Sequence, residues 1–303
     1  MTETTKPRIL VIGSLNLDFV LQIERMPGAG ETLTSNGSAL HCGGKGANQA
    51  VACARLGAAV AMIGRIGDDP AGTSLRDALA GEGIAVDGVA ITPGCTSGAA
   101  AVLLTPDGQN RIILAPGANA RLAPEDVAAQ AGRFATADLL VCQLETPLPT
   151  VTAAIERAAA TGLPVLLNPA PAQALPPALL ARVDYLVPNE SEASLLTGIA
   201  VDGPDRAAEA AEALRRQGAR CVVVTLGAAG ILIADDRGTR HVPALPADVV
   251  DTTAAGDCFI GGFATGLGEG LDIDAAAALG LRAARLCVGR LGAQASLPWR
   301  REL

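Results

Sequence analysis

The sequence predicts a doubly wound α/β sandwich, and three observations carry that expectation. Short apolar runs of β-type alternate with Ala- and Leu-rich helical stretches along most of the 303 residues. The β-type runs are rich in Val, Ile and Leu without strict polar alternation, which suits parallel strands covered on both faces. Two segments, about 16–42 and about 95–115, alternate instead, lack a helical period and carry turn signals at Pro27-Gly28 and Pro106-Asp107-Gly108. The length fits one large α/β domain or two small ones.

Each element has its own reason. Residues 8–13 form a short apolar first strand ending in glycine, and 16–42 follows as a hairpin. Gly43 and Gly44 open an Ala-rich helix to about Leu56, and 59–63 is the next strand. The second hairpin, 95–115, comes after the second βα unit. Strands 139–143 and 165–168 bracket an amphipathic helix over 148–160; the Pro-rich stretch 169–177 reads as a loop and short turn. Pro188 fixes the exit of strand 185–187, and a helix through Leu195 follows. Gly218 stops the amphipathic helix 206–217, strands 221–225 and 231–234 come next, and 258–267 is helical. Two hairpins distant in sequence suit one small sheet projecting as a lid over the carboxyl ends of the parallel strands; two ordinary surface hairpins fit the same pattern. With no repeat or low-complexity linker, the chain reads as one domain over 1–303, with its lid from about 16–42 and 95–115.

Composition excludes several functions. The chain is 50% hydrophobic and 2% aromatic, with about one residue in five an alanine, and 23 Lys+Arg against 31 Asp+Glu give a net charge of −8. So few bases and aromatic rings make it a poor nucleic-acid binder, and 18% charged residues beside that apolar content argue against disorder. No uncharged apolar run approaches the roughly 18–20 residues that span a bilayer, and the start of the chain, with Glu3 and Lys6 before a short apolar run, shows no secretory signal. The expectation is therefore a cytoplasmic protein with no membrane or nucleic-acid partner. Seven scattered cysteines without a CxxC pair read as reduced, mostly buried thiols. With His41 and His241 the only histidines, carboxylates and backbone must do most of the chemistry.

Five segments have chemical potential. Gly43-Gly44-Lys45-Gly46-Ala47-Asn48-Gln49 stands just before and within a helix start, where bare glycines let a ligand reach backbone N–H groups; a tight turn with a helix cap looks the same. It has neither P-loop nor Rossmann spacing. In Asp251-Thr252-Thr253-Ala254-Ala255-Gly256-Asp257 the small residues leave the entrance of the next helix open as an anion nest. A first-turn Asp257 there suits a general base toward a hydroxyl that attacks phosphorus, although many helix starts carry an aspartate. Asn189 and Glu192, three apart, fit hydrated Mg²⁺ or a capping box, and the spacing alone favours the capping box. The turn Thr225-Leu226-Gly227-Ala228-Ala229-Gly230 suits a phosphate-wrapping loop or a plain hairpin. Asn16 and Asp18, two apart on an extended chain, face one side and suit a vicinal diol, or are paired surface groups.

Taken in this order, the segments resemble the ribokinase-like family of carbohydrate kinases. The likeness is carried by Gly13-Ser14-Leu15-Asn16-Leu17-Asp18, the 43–49 segment, Asn189 with Glu192, Thr225-Leu226-Gly227, the 251–257 segment and Gly292-Ala293-Gln294-Ala295-Ser296-Leu297-Pro298-Trp299-Arg300, and it covers essentially the whole chain. The resemblance implies a three-layer α/β/α sandwich with a mostly parallel central sheet plus a small β-sheet lid, and a homodimer through that lid. It implies transfer of the ATP γ-phosphoryl to the 5-hydroxyl of D-ribose. By that resemblance Asp257 is the base and Ala254, Ala255 and Gly256 form the anion hole. Asn16, Asp18, Gly43, Gly44, Lys45, Asn48 and Glu145 bind the sugar. Asn189, residues 225–230, Gly256 and Asp257 bind ATP, and Glu192 acts on Mg²⁺ through water. A K⁺ ion sits near Asp251, Thr253, Cys287, Arg290, Gly292 and Ser296, and Gly280 stands near the adenine. Leu15 and Leu17 depart from the family pattern beside the sugar pair. Kinases of deoxyribose, another pentose, a ketohexose or a nucleoside remain open alternatives, as does a non-catalytic sugar sensor. A nicotinamide-dependent dehydrogenase is disfavoured because no GxGxxG follows the first strand.

Overall fold

The computed structural model describes residues 6–106 and 110–303, so Asp107 and Gly108 of the expected second turn lie outside the described residues. The strands are β1 (Arg8–Ile12), β2 (Asn16–Gln22), β3 (Gly37–Gly43), β4 (Ala59–Gly67), β5 (Ala85–Thr92), β6 (Gly98–Leu104), β7 (Asn110–Ala115), β8 (Leu139–Cys142), β9 (Val165–Leu167), β10 (Tyr185–Leu186), β11 (Cys221–Thr225), β12 (Ile231–Asp235) and β13 (Gly238–Val242). The helices are α1 (Lys45–Arg55), α2 (Pro70–Gly81), α3 (Pro124–Ala129), α4 (Ala131–Phe134), α5 (Leu148–Thr161), α6 (Pro177–Leu180), α7 (Glu190–Thr197), α8 (Pro204–Arg216), α9 (Ala255–Gly268) and α10 (Ile273–Cys287).

Among the described residues the larger sheet has the order β13-β12-β11-β10-β9-β8-β1-β4-β5. It is parallel from β11 to β5, and β12 and β13 add an antiparallel edge. Strand β1 shows why both faces must be covered. Ile9 and Val11 point into a core shared with α1, α2, α9 and α10, while Leu10 and Ile12 point into a second core with α5, α6 and α8. The result is the expected three-layer sandwich. Close helix packing on the first face depends on missing side chains. A Cβ on Gly262 would stand 2.7 Å from the Gly280 Cα, and one on Gly280 would stand 2.7 Å from the Phe259 carbonyl. Gly280, expected near the adenine by resemblance, therefore also holds α9 against α10.

The two alternating segments join in a second sheet of order β3-β2-β6-β7. Two antiparallel pairs, β2 with β3 and β6 with β7, meet through parallel pairing of β2 with β6, Asn16 opposite Gly98. Strands β5 and β13 and helix α2 go beyond the sequence expectations. Gly88 in β5 is what an edge strand needs here, since a Cβ would lie 2.6 Å from the Met62 carbonyl. Helix α2 starts on Asp69, whose side chain accepts from Gly72 N, with Pro70 at its first position. No helix among the described residues is long and apolar enough to cross a membrane. All seven cysteines are free, and five are buried.

Candidate active site

The parallel strands end at a cleft of about 620 Å³ between their carboxyl edge and the second sheet. Asn16, Asp18, Gly44, Lys45, Asn48, Glu145 and Asp257 line it, with residues 251–254 and Gly292 at one side. The glycine segment meets the turn after β1 at close range. A Cβ on Gly46 would stand 2.6 Å from Ser14 N, and one on Gly43 would stand 2.1 Å from an Asp18 oxygen. Gly44 also holds φ 89°, and a Cβ there would lie 2.8 Å from Asn16 N. Bare backbone thus seats α1 against β1 and β2, which sets Lys45 and Asn48 beside Asn16 and Asp18.

Buried hydrogen bonds fix the polar lining. Ser14 Oγ donates to Glu145 Oε2 at 2.6 Å and Lys45 N donates to the same oxygen at 3.1 Å. Asn119 Nδ2 donates to Asn16 Oδ1 at 2.8 Å, and the Asn119 side chain closes on both backbone groups of Leu15. Leu15 itself turns into the core. Burial, with Glu145 and Asp257 as like charges, pushes the Asp18 carboxyl up to about 7. Burial works against the Lys45 ammonium, but Asp257, Glu145 and Glu192 outweigh it and raise its pKa above the usual value.

Asp257 stands in the first turn of α9, nearly buried. Asn48 Nδ2 donates to its Oδ2 at 3.1 Å and Gln49 Nε2 to its Oδ1 at 2.9 Å. The residue before the helix, Ala254, holds φ 59°, the one non-glycine positive φ among the described residues. For an L-residue this left-handed conformation costs about 1–2 kcal/mol, and it turns the chain so that the helix start faces the cleft. Of the three residues expected to form an anion hole, Ala255 has its N–H engaged with the Thr252 carbonyl at 3.2 Å. The first-turn N–H groups of Gly256 and Asp257 are the donors that a helix start leaves without intrahelical partners.

The cation set also converges. Asp251 Oδ1 accepts from Thr253 N and Oγ1 at 2.8 and 2.6 Å, and Oδ2 accepts from Gly292 N at 2.9 Å. Burial opposes charge on Asp251, yet these bonds hold its carboxyl below the usual range. Cys287 Sγ lies 3.0 Å from Ser296 Oγ, which donates to the Ala293 carbonyl at 2.7 Å. The Arg290 side chain points elsewhere, pairing with Glu302 at 2.7 Å.

The nucleotide set forms a second group at the ends of β10 and β11, outside the cleft lining. Asn189 and Thr225 are bridged across the sheet. Asn189 and Glu192 form a full capping box: Asn189 Oδ1 accepts from Glu192 N at 2.8 Å and Glu192 Oε2 accepts from Asn189 N at 2.9 Å. Burial raises the Glu192 carboxyl pKa, with Asp257 contributing. After Thr225 the chain makes a short turn over Gly227–Ala229, with Leu226 buried and Leu226 N bonded to the Gly230 carbonyl at 2.8 Å. Ser14, Gln49, Asn119, Gln143 and Asn168 complete the buried polar framework and were not assigned roles from sequence. Gln143 and Asn168 did leave a trace, a lone amide at the end of an apolar β run.

An α/β sandwich whose carboxyl edge joins a cleft lined by Asn16, Asp18, Lys45, Asn48 and Glu145 to a helix-start carboxylate suits one class, the kinases that phosphorylate small sugars. The chain belongs to the pfkB family of carbohydrate kinases, which matches residues 6–300. It is 41% identical to a ribokinase of Haemophilus influenzae over 97% of this chain and 96% of the relative. It is also 39% identical to a deoxyribokinase of Salmonella typhi over 96% and 95%. Among solved structures, the ribokinase of Arabidopsis thaliana complexed with ribose and ATP superposes with a TM-score of 0.90 at 33% identity, covering 98% of this chain and 97% of that one.

Proposed function

We propose that this chain transfers the γ-phosphoryl of ATP to the 5-hydroxyl of D-ribose, giving D-ribose 5-phosphate and ADP. The observation that carries the reading is the Asp257 carboxylate, held by amide donors on both oxygens where the polar cleft meets the α9 start. Asn16, Asp18, Lys45, Asn48 and Glu145 bind the sugar, with Gly43 and Gly44 letting the glycine segment close on Asp18 and Asn16. Asp257 takes the proton of the 5-hydroxyl as that oxygen attacks phosphorus, and the N–H groups of Gly256 and Asp257 at the helix start, beside Ala254, face the charge that develops on the phosphoryl oxygens; the Ala255 N–H, bonded to the Thr252 carbonyl, would have to leave that partner to join them. Asn189 and residues 225–230 hold the nucleotide.

Two cations fit the residues present. Glu192, whose two oxygens already accept from Asn189 N and Nδ2, would hold Mg²⁺ through water and not directly; the ion would neutralise phosphate charge. The ionised Asp251 and the carbonyls around Thr253, Cys287, Arg290, Gly292 and Ser296 are hard oxygen donors suited to K⁺, which would stiffen the loop beside the anion hole. The enzyme is proposed to act as a cytoplasmic homodimer.

The likeness to a deoxyribokinase makes 2-deoxyribose the second reading. ATP turnover measured on ribose, deoxyribose, fructose and adenosine separates them, with ribose expected to give the highest kcat/KM. Asp257→Asn is expected to lower turnover at least ~100-fold while ATP still binds. Near-normal turnover in that variant would sink the assignment.

A further inference from the structure

The base candidate is held from behind by a chain of amides that never touches the cleft. Gln49 and Gln143 are fully buried, and neither lines the cleft. The Val187 carbonyl can only accept, so Asn168 must turn its Nδ2 toward it, at 2.9 Å, and its Oδ1 toward Gln49. Gln49 Nε2 donates to that Oδ1 at 3.1 Å and to Asp257 Oδ1 at 2.9 Å. From the other end, Gln143 Nε2 donates to Gln49 Oε1 at 2.6 Å. The Gln143 Oε1 packs against Gly13, where a Cβ would lie 2.0 Å away, and has no hydrogen-bond partner.

The Asn168 end therefore dictates the orientation of Gln49, and Gln143, whose Oε1 has no partner, conforms to it by donating to the Gln49 oxygen. A flip would set its oxygen against Asp257 Oδ1 and Asn168 Oδ1 and its NH₂ against the NH₂ of Gln143. A buried polar chain is costly unless satisfied, so an apolar side chain would suit this position better if packing were its only task.

We propose that Gln49 is a positioning residue for phosphoryl transfer. It fixes the Asp257 carboxylate in rotation; its own direction is set by Asn168, and Gln143 holds its oxygen in place. None of these amides ionises, so the proton taken from the sugar hydroxyl stays on Asp257 and does not pass inward. The inference rests on the reading of Asp257 as the base.

Steady-state kinetics of Gln49→Met, similar in length and unable to donate, test it. Losing a hydrogen bond to a charged group is expected to lower kcat about 10- to 100-fold, with KM for ribose and ATP changed less than about threefold. In an Asp257→Ala background, adding Gln49→Met is expected to change the residual turnover less than about twofold, because the carboxylate it positions is gone. A kcat within twofold of the parent, or the same loss in both backgrounds, overturns the proposal. Should Gln49→Met fail to fold, Gln143→Met releases the Gln49 amide from outside and is expected to lower kcat at unchanged KM; full turnover there overturns it equally. Full turnover in Asp257→Asn would remove the base reading and this inference together. An inactive Asp257→Asn beside a fully active Gln49→Met would remove this inference alone.

Discussion

Asp18 is a cleft residue whose charge changes near neutral pH. Burial, then Glu145 and Asp257, lift its carboxyl to about 7. An unfolded aspartate titrates near 3.9. The unfolded chain thus gives up this proton first, and through this group stability falls as pH rises from about 4 to 7 and is level above. Sugar binding runs the other way if the ionised form accepts two hydroxyl protons of a diol. KM for the sugar is then expected to rise several-fold as pH drops from about 8 to 6, at saturating ATP. Asp18→Asn should raise KM and flatten that dependence; a level profile in the parent enzyme would remove Asp18 from the sugar contact. The pair Asn16 and Asp18 is legible in sequence through its spacing. The elevated pKa is not, because Glu145 and Asp257 lie far along the chain and only the fold brings them near. Gln49 stood within the glycine segment, but its role depends on Gln143 and Asn168 at the ends of two other strands.

At the scale of elements, the strands buried on both faces were legible because both neighbours demand apolar residues. Strands β5 and β13 were not, since each lies at a sheet edge and mixes polar with apolar residues, as in Gly238, Thr239, Arg240, His241 and Val242. Their place is set by partners: Arg240 ties β13 to Asp235 of β12 at 2.9 Å and to Asp274 of α10 at 2.5 Å. Likewise Asn189 and Glu192 were legible only as two alternatives, and the observed capping box leaves the Mg²⁺ role as a proposal. The loop from Asp251 to α9 depends on tertiary contacts too. Asp251 joins Thr253 to Gly292, and the Arg55 guanidinium at the end of α1 binds the carbonyls of Gln294 and Leu297 at 2.7 and 2.9 Å. One helix thus carries the proposed sugar contacts at its start and steadies the proposed cation loop at its end. Activity is expected to rise when K⁺ replaces a bulky organic cation, and Asp251→Asn should weaken that response. A flat response in the parent enzyme would remove the cation site.

At the scale of the whole molecule, the second sheet has more apolar surface than a lid needs. Its strands alternate, so Asp18, Val20, Val102 and Leu114 line the cleft while their neighbours face away. On the outer face the register sets Leu40, Phe19, Ala101 and Ile113 side by side in one row across four strands. Leu40, Phe19 and Ile113 are 62%, 43% and 66% exposed. A contiguous apolar row on a sheet with open edges favours association over solvation, and a two-fold pairing of the same row with itself is the simplest closed solution. The proposed homodimer would bury it. Sedimentation or sizing chromatography should return twice the 30.4 kDa chain mass for the parent protein. Ile113→Glu puts one charge from each protomer into such an interface, at the β7 end of the row, and a buried unpaired charge costs several kcal/mol. The variant is expected to run as a folded monomer, with a raised KM for the sugar because the sheet over the cleft has lost its support. A parent protein that sediments as a monomer would remove the partner from this face. An Ile113→Glu variant that stays dimeric would move the interface elsewhere.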